Sequence, residues 1–299
     1  TGDYEAIYRI EAVSKDGVSV SLSMDPQNAP VKRFVRSVDL AYAHRCMCSW
    51  SQGQPRTFAG TTAFGTSAAV LRDLQARGST LFVDMWQQAE QKPPYRFLTQ
   101  QSAGVLTRVT DGPETTMVLV NDRMQALPVL HAAGRFQGTQ VNFYWLNDPA
   151  NPVLIHGDVG GGGGRIVKIY LPAAGASARL EQTLRRNQAA TLYGVYFETA
   201  AAGVRPESEP ALHEIADVMR RNPTWRLRLA VHTDNLRGWD ANLTLAQQRA
   251  QQLVRVLTER EGVASQRLQS VGAGAANPLA GNLTVAGRAL NRRVVISRF

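Results

Sequence analysis

The sequence predicts an α+β protein: a mostly-β N-terminal domain (a sandwich or barrel holding one helix), followed by a C-terminal α/β sandwich domain. Before position 172, short stretches of alternating apolar and polar residues predominate, which is typical of strands. After position 190, strand-like and helix-like periodicities alternate, which indicates helices packed on one sheet. We therefore predict a β domain over 1–172, a linker and connecting helix over 173–190, and an α/β domain over 191–299.

The N-terminal domain begins with a hairpin and contains one helix. Residues 6–13 and 18–24 alternate around Lys15-Asp16-Gly17, which is a turn signal. Helical periodicity over 68–77 follows Thr66-Ser67 and stops at Gly78. Further strands are predicted at 33–40, 45–50, 80–86, 95–110, 115–120, 124–131, 141–146, 153–156 and 166–171.

Two segments rich in small residues have to be told apart. The five glycines Gly160 to Gly164 have strand patterns close on both sides, so they predict a hairpin tip. The linker is better placed at 172–177, ahead of a helical stretch over 178–187. In the C-terminal domain we predict strands at 191–197, 225–231, 266–271 and 293–298, and helices at 208–221 and 245–261, the second with Thr244 as its N-cap.

Charge and cysteine content restrict the partners and cofactors. The net charge is +9, and residues 181–299 hold 16 Arg, no Lys and 10 acidic residues. Such a surface suits nucleic acid, an anionic membrane or an anionic polymer, but the arginines are scattered and no nucleic-acid motif accompanies them, so no nucleic acid is predicted.

Cys46 and Cys48 lie on one face of a predicted strand, too close for an unstrained disulfide, and only His44 is near enough in sequence to complete a metal site. We predict half-buried thiols, no metal and no cofactor. No apolar run approaches the ~18–20 residues of a membrane-spanning helix.

Opposite charges frame the junction between the 225–231 strand and the following helix. Asp234 comes just after the strand, and Arg249 comes fifteen residues later, about one turn into the predicted helix. Ligands of such sheets bind at the carboxyl ends of strands, and a helix start favours anionic groups. A carboxylate and a guanidinium at a fixed spacing fit a ligand that carries an ammonium and a carboxylate. The alternative is that Asp234 and Arg249 form an intramolecular salt bridge or cap the loop.

An ordered set of motifs resembles the OmpA-like peptidoglycan-binding domain family. It comprises Phe197-Glu198-Thr199, Arg205-Pro206-Glu207-Ser208, His232-Thr233-Asp234-Asn235, Asn242-x-x-Leu245, Arg249-Ala250, Gly272-Ala273-Gly274, Asn282-Leu283-Thr284, Gly287-Arg288-Ala289 and Asn291-Arg292-Arg293-Val294. The resemblance implies that Asp234 and Arg249 hold the diaminopimelate of a peptidoglycan stem peptide. It also implies a supporting pocket made of Phe197, Thr233, Asn242, Leu245 and Arg293.

The resemblance implies a non-catalytic protein of the periplasm, associated with the cell wall and outer membrane. Its C-terminal domain would bind peptidoglycan and anchor the N-terminal domain, which is free to meet an envelope protein. A lipid anchor or outer-membrane association is compatible with this role. The alternative is an envelope enzyme with a catalytic N-terminal domain, although the sequence offers no convincing nucleophile, metal set or paired carboxylates there.

Overall fold

A computed structural model describes residues 6–23, 29–47, 54–63, 65–89, 97–160, 162–171 and 175–299. The chain divides into two compact units. One contains residues 6–118 and 125–166, and the other contains residues 119–124 and 167–299. Both predicted classes of structure are present, a strand-rich N-terminal region and a C-terminal α/β sandwich, so the fold class is confirmed.

The N-terminal unit contains a small sheet and a large one. The small sheet has the order β1-β2-β3, and the large one runs β11-β10-β9-β8-β6-β5-β4, with β7 also on β8. The α2 helix packs into the core of the large sheet, where Leu71 and Leu74 join the rings of Phe82 and Trp145, whose centroids lie 5.8 Å apart. The elements are β1 (Ile7–Val13), β2 (Gly17–Ser23), β3 (Val31–Arg36), α1 (Ser37–Tyr42), β4 (Arg45–Met47), α2 (Ala68–Arg77), β5 (Ser79–Ala89), β6 (Phe97–Arg108), β7 (Glu114–Val120), β8 (Arg123–Phe136), β9 (Thr139–Leu146), β10 (Leu154–Val159) and β11 (Gly162–Arg165).

The C-terminal unit is a sheet with helices packed on it. Strand order is β13-β16-β14-β15; β14 and β15 are parallel, whereas β16 is antiparallel to both β13 and β14. Leu227, Leu229 and Val231 on β14 are buried and the intervening Arg228 is exposed, as expected for a strand with one covered face. The elements are β12 (Lys168–Ile169), α3 (Ala176–Arg185), β13 (Ala190–Leu192), α4 (Glu209–Arg221), β14 (Leu227–His232), α5 (Trp239–Glu259), β15 (Leu268–Gly274), α6 (Val285–Asn291) and β16 (Val294–Arg298), with 3-10 turns at Pro206–Ser208 and Ser265–Arg267.

In the N-terminal unit, the sequence predictions were reliable where specific residues mark the end of an element. The α2 helix has the predicted bounds, because the Ser67 hydroxyl accepts a hydrogen bond from the Val70 N–H and Gly78 adopts φ 74°. The described glycines form a hairpin as predicted, in which Gly162 pairs with Val159 and Gly163 with Asp158; Gly161 lies outside the described residues. The strand predicted over 33–40 is wrong in its second half: the chain turns into α1 at Ser37, where buried Asp39 binds Arg36 at 2.7 Å.

In the C-terminal unit, two predicted elements have the wrong bounds and one helix was missed. The α5 helix begins at Trp239 and not after Thr244, because glycine at its N-cap offers no side-chain signal. The strand predicted over 191–197 ends at Leu192, although Phe197 forms an isolated bridge with Val204. The α6 helix was not predicted, although the Thr284 hydroxyl caps it by accepting from the Gly287 N–H.

One of the two cysteines lies among the described residues. Cys46 is buried, and its thiol donates to the Ala63 carbonyl at 3.3 Å; Cys48 lies outside the described residues. In the described ranges, no three His, Cys, Asp or Glu side chains come together to hold a metal ion. Across the same ranges, no helix combines the length and the apolar character that crossing a membrane requires.

Candidate ligand-binding site

The carboxyl end of β14 places Asp234 at the edge of the sheet. The His232 N–H donates to the Arg293 carbonyl on one side at 2.9 Å, and the Thr233 N–H donates to the Gly274 carbonyl on the other at 2.8 Å. Neighbouring strands therefore hold the backbone up to Thr233. Asp234 is the first residue beyond these bonds, so its position is set by the sheet and its side chain by the loops.

The carboxylate of Asp234 is paired with Arg292. Its Oδ2 lies 2.8 Å from Arg292 Nη1, and its Oδ1 accepts a long hydrogen bond of 3.2 Å from the Leu236 N–H. The two side chains are only 14% and 18% exposed, so the ion pair is largely shielded from water. Arg292 was not singled out from the sequence. It lies in the Asn291-Arg292-Arg293 motif, in which the resemblance implies a pocket role for the second arginine only.

Arg249 lies farther along α5 than the sequence suggested. With the helix beginning at Trp239, Arg249 follows its start by about 15 Å along the axis, so the free N–H groups of the first turn do not reach it. Its Nε donates to the Ala201 carbonyl and its Nη2 to the Glu198 carbonyl, both at 2.9 Å. Its guanidinium also lies 5.1 Å from the ring centroid of Phe197. These contacts fix the guanidinium and order the 198–201 turn.

Buried polar groups surround the Asp234 loop. Asn242 is 1% exposed, and its amide donates to the Arg237 carbonyl at 2.8 Å, which braces the loop from the first turns of α5. Leu245 follows on the same helix and is also buried. Thr233 is buried as well, and its hydroxyl has no hydrogen-bond partner among the described residues. Leaving a buried hydroxyl without a hydrogen bond costs roughly 1–3 kcal/mol, so Thr233 lowers the local stability at the end of β14.

Arg293 supports a different segment. It is buried, and its guanidinium donates to the Asn277 carbonyl at 2.8 Å and to the Asn291 carbonyl at 3.3 Å. His232 lies nearby, with Nδ1 3.1 Å from the Ala276 carbonyl. Burial lowers the pKa of Arg293. Burial first, and then the charge of Arg293, lowers the pKa of His232. Arg293 therefore orders the 276–277 loop beside the site.

We expect His232 to make the C-terminal unit less stable in mild acid. Its pKa is lowered in the folded state, so unfolding takes up a proton at any pH between the folded and unfolded pKa values. Its stabilising contribution is complete above the unfolded value of about 6.5 and declines as pH falls through it. Urea unfolding at pH 7.5 and pH 5.5 measures the effect. His232→Gln should show a smaller loss of stability between these pH values than the wild type, and an unchanged difference would contradict this role.

Comparison with known proteins finds a family model that matches the C-terminal part of the chain. Residues 196–292 match the family model described as the OmpA family. Outer membrane porin F of Pseudomonas fluorescens is 41% identical over 104 residues, which is 34% of this chain and 31% of the porin. The protein named peptidoglycan-binding protein ArfA of Mycobacterium tuberculosis strain H37Rv is 35% identical over 125 residues, which is 42% of this chain and 37% of that protein.

A solved structure is also similar to part of the chain. The cell wall anchor of the T6SS from Pseudomonas aeruginosa is 30% identical, with a TM-score of 0.34, over 43% of this chain and 97% of that one. The chain spans less than half the length of the curated relatives cited above.

Proposed function

Residues 196–292 of this chain belong to the OmpA family, and from that premise we propose that the C-terminal unit binds peptidoglycan without catalysing a reaction. The name of the mycobacterial relative supports this ligand, because it is called a peptidoglycan-binding protein. The relatives are named as binding proteins, porins and lipoproteins, which favours binding over catalysis. In this role the domain anchors the N-terminal β unit to the cell wall, in the periplasm.

The proposed ligand group is the diaminopimelate of the stem peptide, with Asp234 and Arg249 as its anchors. The observation that carries this proposal is the shielded carboxylate of Asp234, which Arg292 holds at the end of β14. Arg292 holds Oδ2, so Oδ1, with its single long hydrogen bond, faces less competition for a ligand ammonium. The guanidinium groups of Arg249 and Arg292 supply positive charge for the carboxylate of the ligand.

Both charges are needed to select this ligand. A charge-assisted hydrogen bond contributes about 1.5–3 kcal/mol, so a ligand that satisfies two of them is favoured strongly over one that satisfies a single one. Diaminopimelate carries an ammonium and a carboxylate on the same carbon of its side chain, whereas lysine at that position of a stem peptide carries only the ammonium. The domain is therefore expected to prefer diaminopimelate-type peptidoglycan.

Sedimentation with purified sacculi tests the proposal. Wild type should sediment with the sacculi, whereas Asp234→Ala and Arg249→Ala should each bind about ten- to a hundredfold more weakly, because each loses one charge-assisted contact. A stem peptide with lysine in place of diaminopimelate should bind weakly in calorimetry.

Matched controls are available on α5, the helix that carries Arg249. Asp240→Ala removes an exposed carboxylate and Arg255→Ala an exposed guanidinium, and neither lies in the proposed pocket. Both should sediment like the wild type. Equal sedimentation of the site variants and these controls would overturn the proposal.

A further inference from the structure

The opposite end of the C-terminal sheet carries a cluster of arginines around two aromatic rings. β14 begins there and β16 ends there, with Leu227 level with Arg298. We call this region the basic end. It consists of Arg185, Arg221, Trp225, Arg226, Arg228, Arg298 and Phe299.

On the helix side of the basic end, arginines enclose Trp225. The guanidinium carbons of Arg185 and Arg298 lie 5.3 and 4.4 Å from the centroid of its ring. The nearby carboxylate of Glu181 binds Arg185 at 2.5 Å and Arg221 at 2.7 Å. Glu181 is 14% exposed, whereas Arg185 and Arg221 are 59% and 44% exposed. The carboxylate therefore lies beneath, and positive charge faces the solvent.

On the open side of the sheet, two more arginines lie on Phe299. The guanidinium carbons of Arg226 and Arg228 are 4.7 and 5.8 Å from the centroid of its ring. Phe299 is 46% exposed, and both arginines are exposed. The basic end therefore carries five guanidinium groups, two of which pair with Glu181, and it places aromatic surface among them.

The chemistry of this arrangement selects phosphate groups presented on a surface. Guanidinium forks bind phosphate oxygens in a bidentate way, and aromatic side chains favour the interfacial layer of a bilayer. Single-stranded nucleic acid would need ring faces on which bases could stack. Here guanidinium groups already lie against both rings, which disfavours that partner.

We propose that the basic end docks on the headgroups of an anionic lipid bilayer. The distance along β14 from Leu227 to Asp234 is roughly 20 Å, so a bilayer at the basic end leaves the Asp234 site clear. The C-terminal unit then has two binding ends: one for cell-wall peptide and one for a membrane surface. This docking goes beyond the proposed peptidoglycan function and does not depend on it.

Vesicle sedimentation of the full chain tests the docking. Wild type should bind vesicles containing 30% phosphatidylglycerol in phosphatidylcholine and should not bind pure phosphatidylcholine; binding should weaken as salt rises. Arg226→Gln combined with Arg228→Gln should weaken binding by about 30-fold, because each basic residue near an anionic surface contributes about fivefold. The double variant should still sediment with sacculi, because its changes lie at the other end of the strand.

The matched control removes two exposed arginines from the N-terminal unit. Arg72→Gln combined with Arg77→Gln on α2 lowers the net charge by the same amount and should bind anionic vesicles like the wild type. Equal vesicle binding by the two double variants would overturn the proposal. The proposal would also be overturned if the Arg226 and Arg228 double variant lost only its binding to a single-stranded DNA 30-mer. That result would identify nucleic acid as the partner.

Discussion

Arg292→Ala is expected to weaken the binding of a diaminopimelate-containing stem peptide by about tenfold or more, the loss of roughly one charge-assisted contact. Arg292 fixes the carboxylate of Asp234 from one side at 2.8 Å, and without it the carboxylate is free to turn away from a ligand ammonium. Calorimetric titration of the peptide measures the change.

The sign of this effect separates two roles of Arg292. If Arg292 only occupied Asp234 in competition with the ligand, its removal would strengthen binding, and that result would contradict our expectation. Arg292→Lys keeps the charge but loses the planar fork, so it should restore part of the affinity. Thermal unfolding of both variants is the control for folding. A double-mutant cycle with Asp234→Ala should give strongly non-additive losses.

Gly272→Ala is expected to destabilise the C-terminal unit by about 1–3 kcal/mol, the usual cost of overpacking. A Cβ at position 272 would lie 2.4 Å from the backbone nitrogen of Gln247 on α5, and backbone atoms cannot turn aside as a side chain can. The Gly272 N–H also donates to Gln247 Oε1 at 2.6 Å, so β15 and α5 meet here without intervening bulk. Urea unfolding at neutral pH measures the loss.

A second glycine in the same unit provides the control. A Cβ at Gly281 would meet no heavy atom within 4 Å, so Gly281→Ala should leave the midpoint of unfolding nearly unchanged. Gly272→Ala should also weaken sacculus binding, because Arg249 lies two residues beyond Gln247 on the displaced helix. If both alanine variants unfold at the same urea concentration, the close packing of α5 on β15 does not limit stability.

The ends of a helix or strand could be predicted from the sequence where capping residues mark them. They were missed where tertiary contacts set them. Helix α2 has a serine cap and a terminal glycine, so its limits could be predicted. Helix α5 begins beside Gly238, and its first turns are stabilised by the bond from Asn242 to the Arg237 carbonyl, which no local pattern announces.

The same distinction applies to the candidate site. The motif around Asp234 marked a charged residue at a strand end, and the structure has it there. Its partner Arg292 comes from a segment 58 residues away, between α6 and β16, and such pairings depend on how loops meet in space. Spacing along the chain suggested instead that Asp234 and Arg249 bind the opposite charges of one ligand, with a salt bridge between them or a loop cap as the alternative. Arg249 binds the carbonyls of Glu198 and Ala201, which belong to a turn just beyond the strand that the sequence predicted over 191–197.

The strand directions in the C-terminal sheet have a mechanical consequence. Ala190 and Leu229 both lie level with Ile296, and Leu192 and Val231 both lie level with Val294, so β13 and β14 run in the same direction. A molecule tethered through Asp234 and pulled from the chain preceding Ala190 would be stretched from opposite ends of its sheet. The interstrand hydrogen bonds stand across that line of force, so they would have to rupture together and not one after another. Loading in shear suits a domain that, as proposed, stays bound to the cell wall while the rest of the chain is pulled.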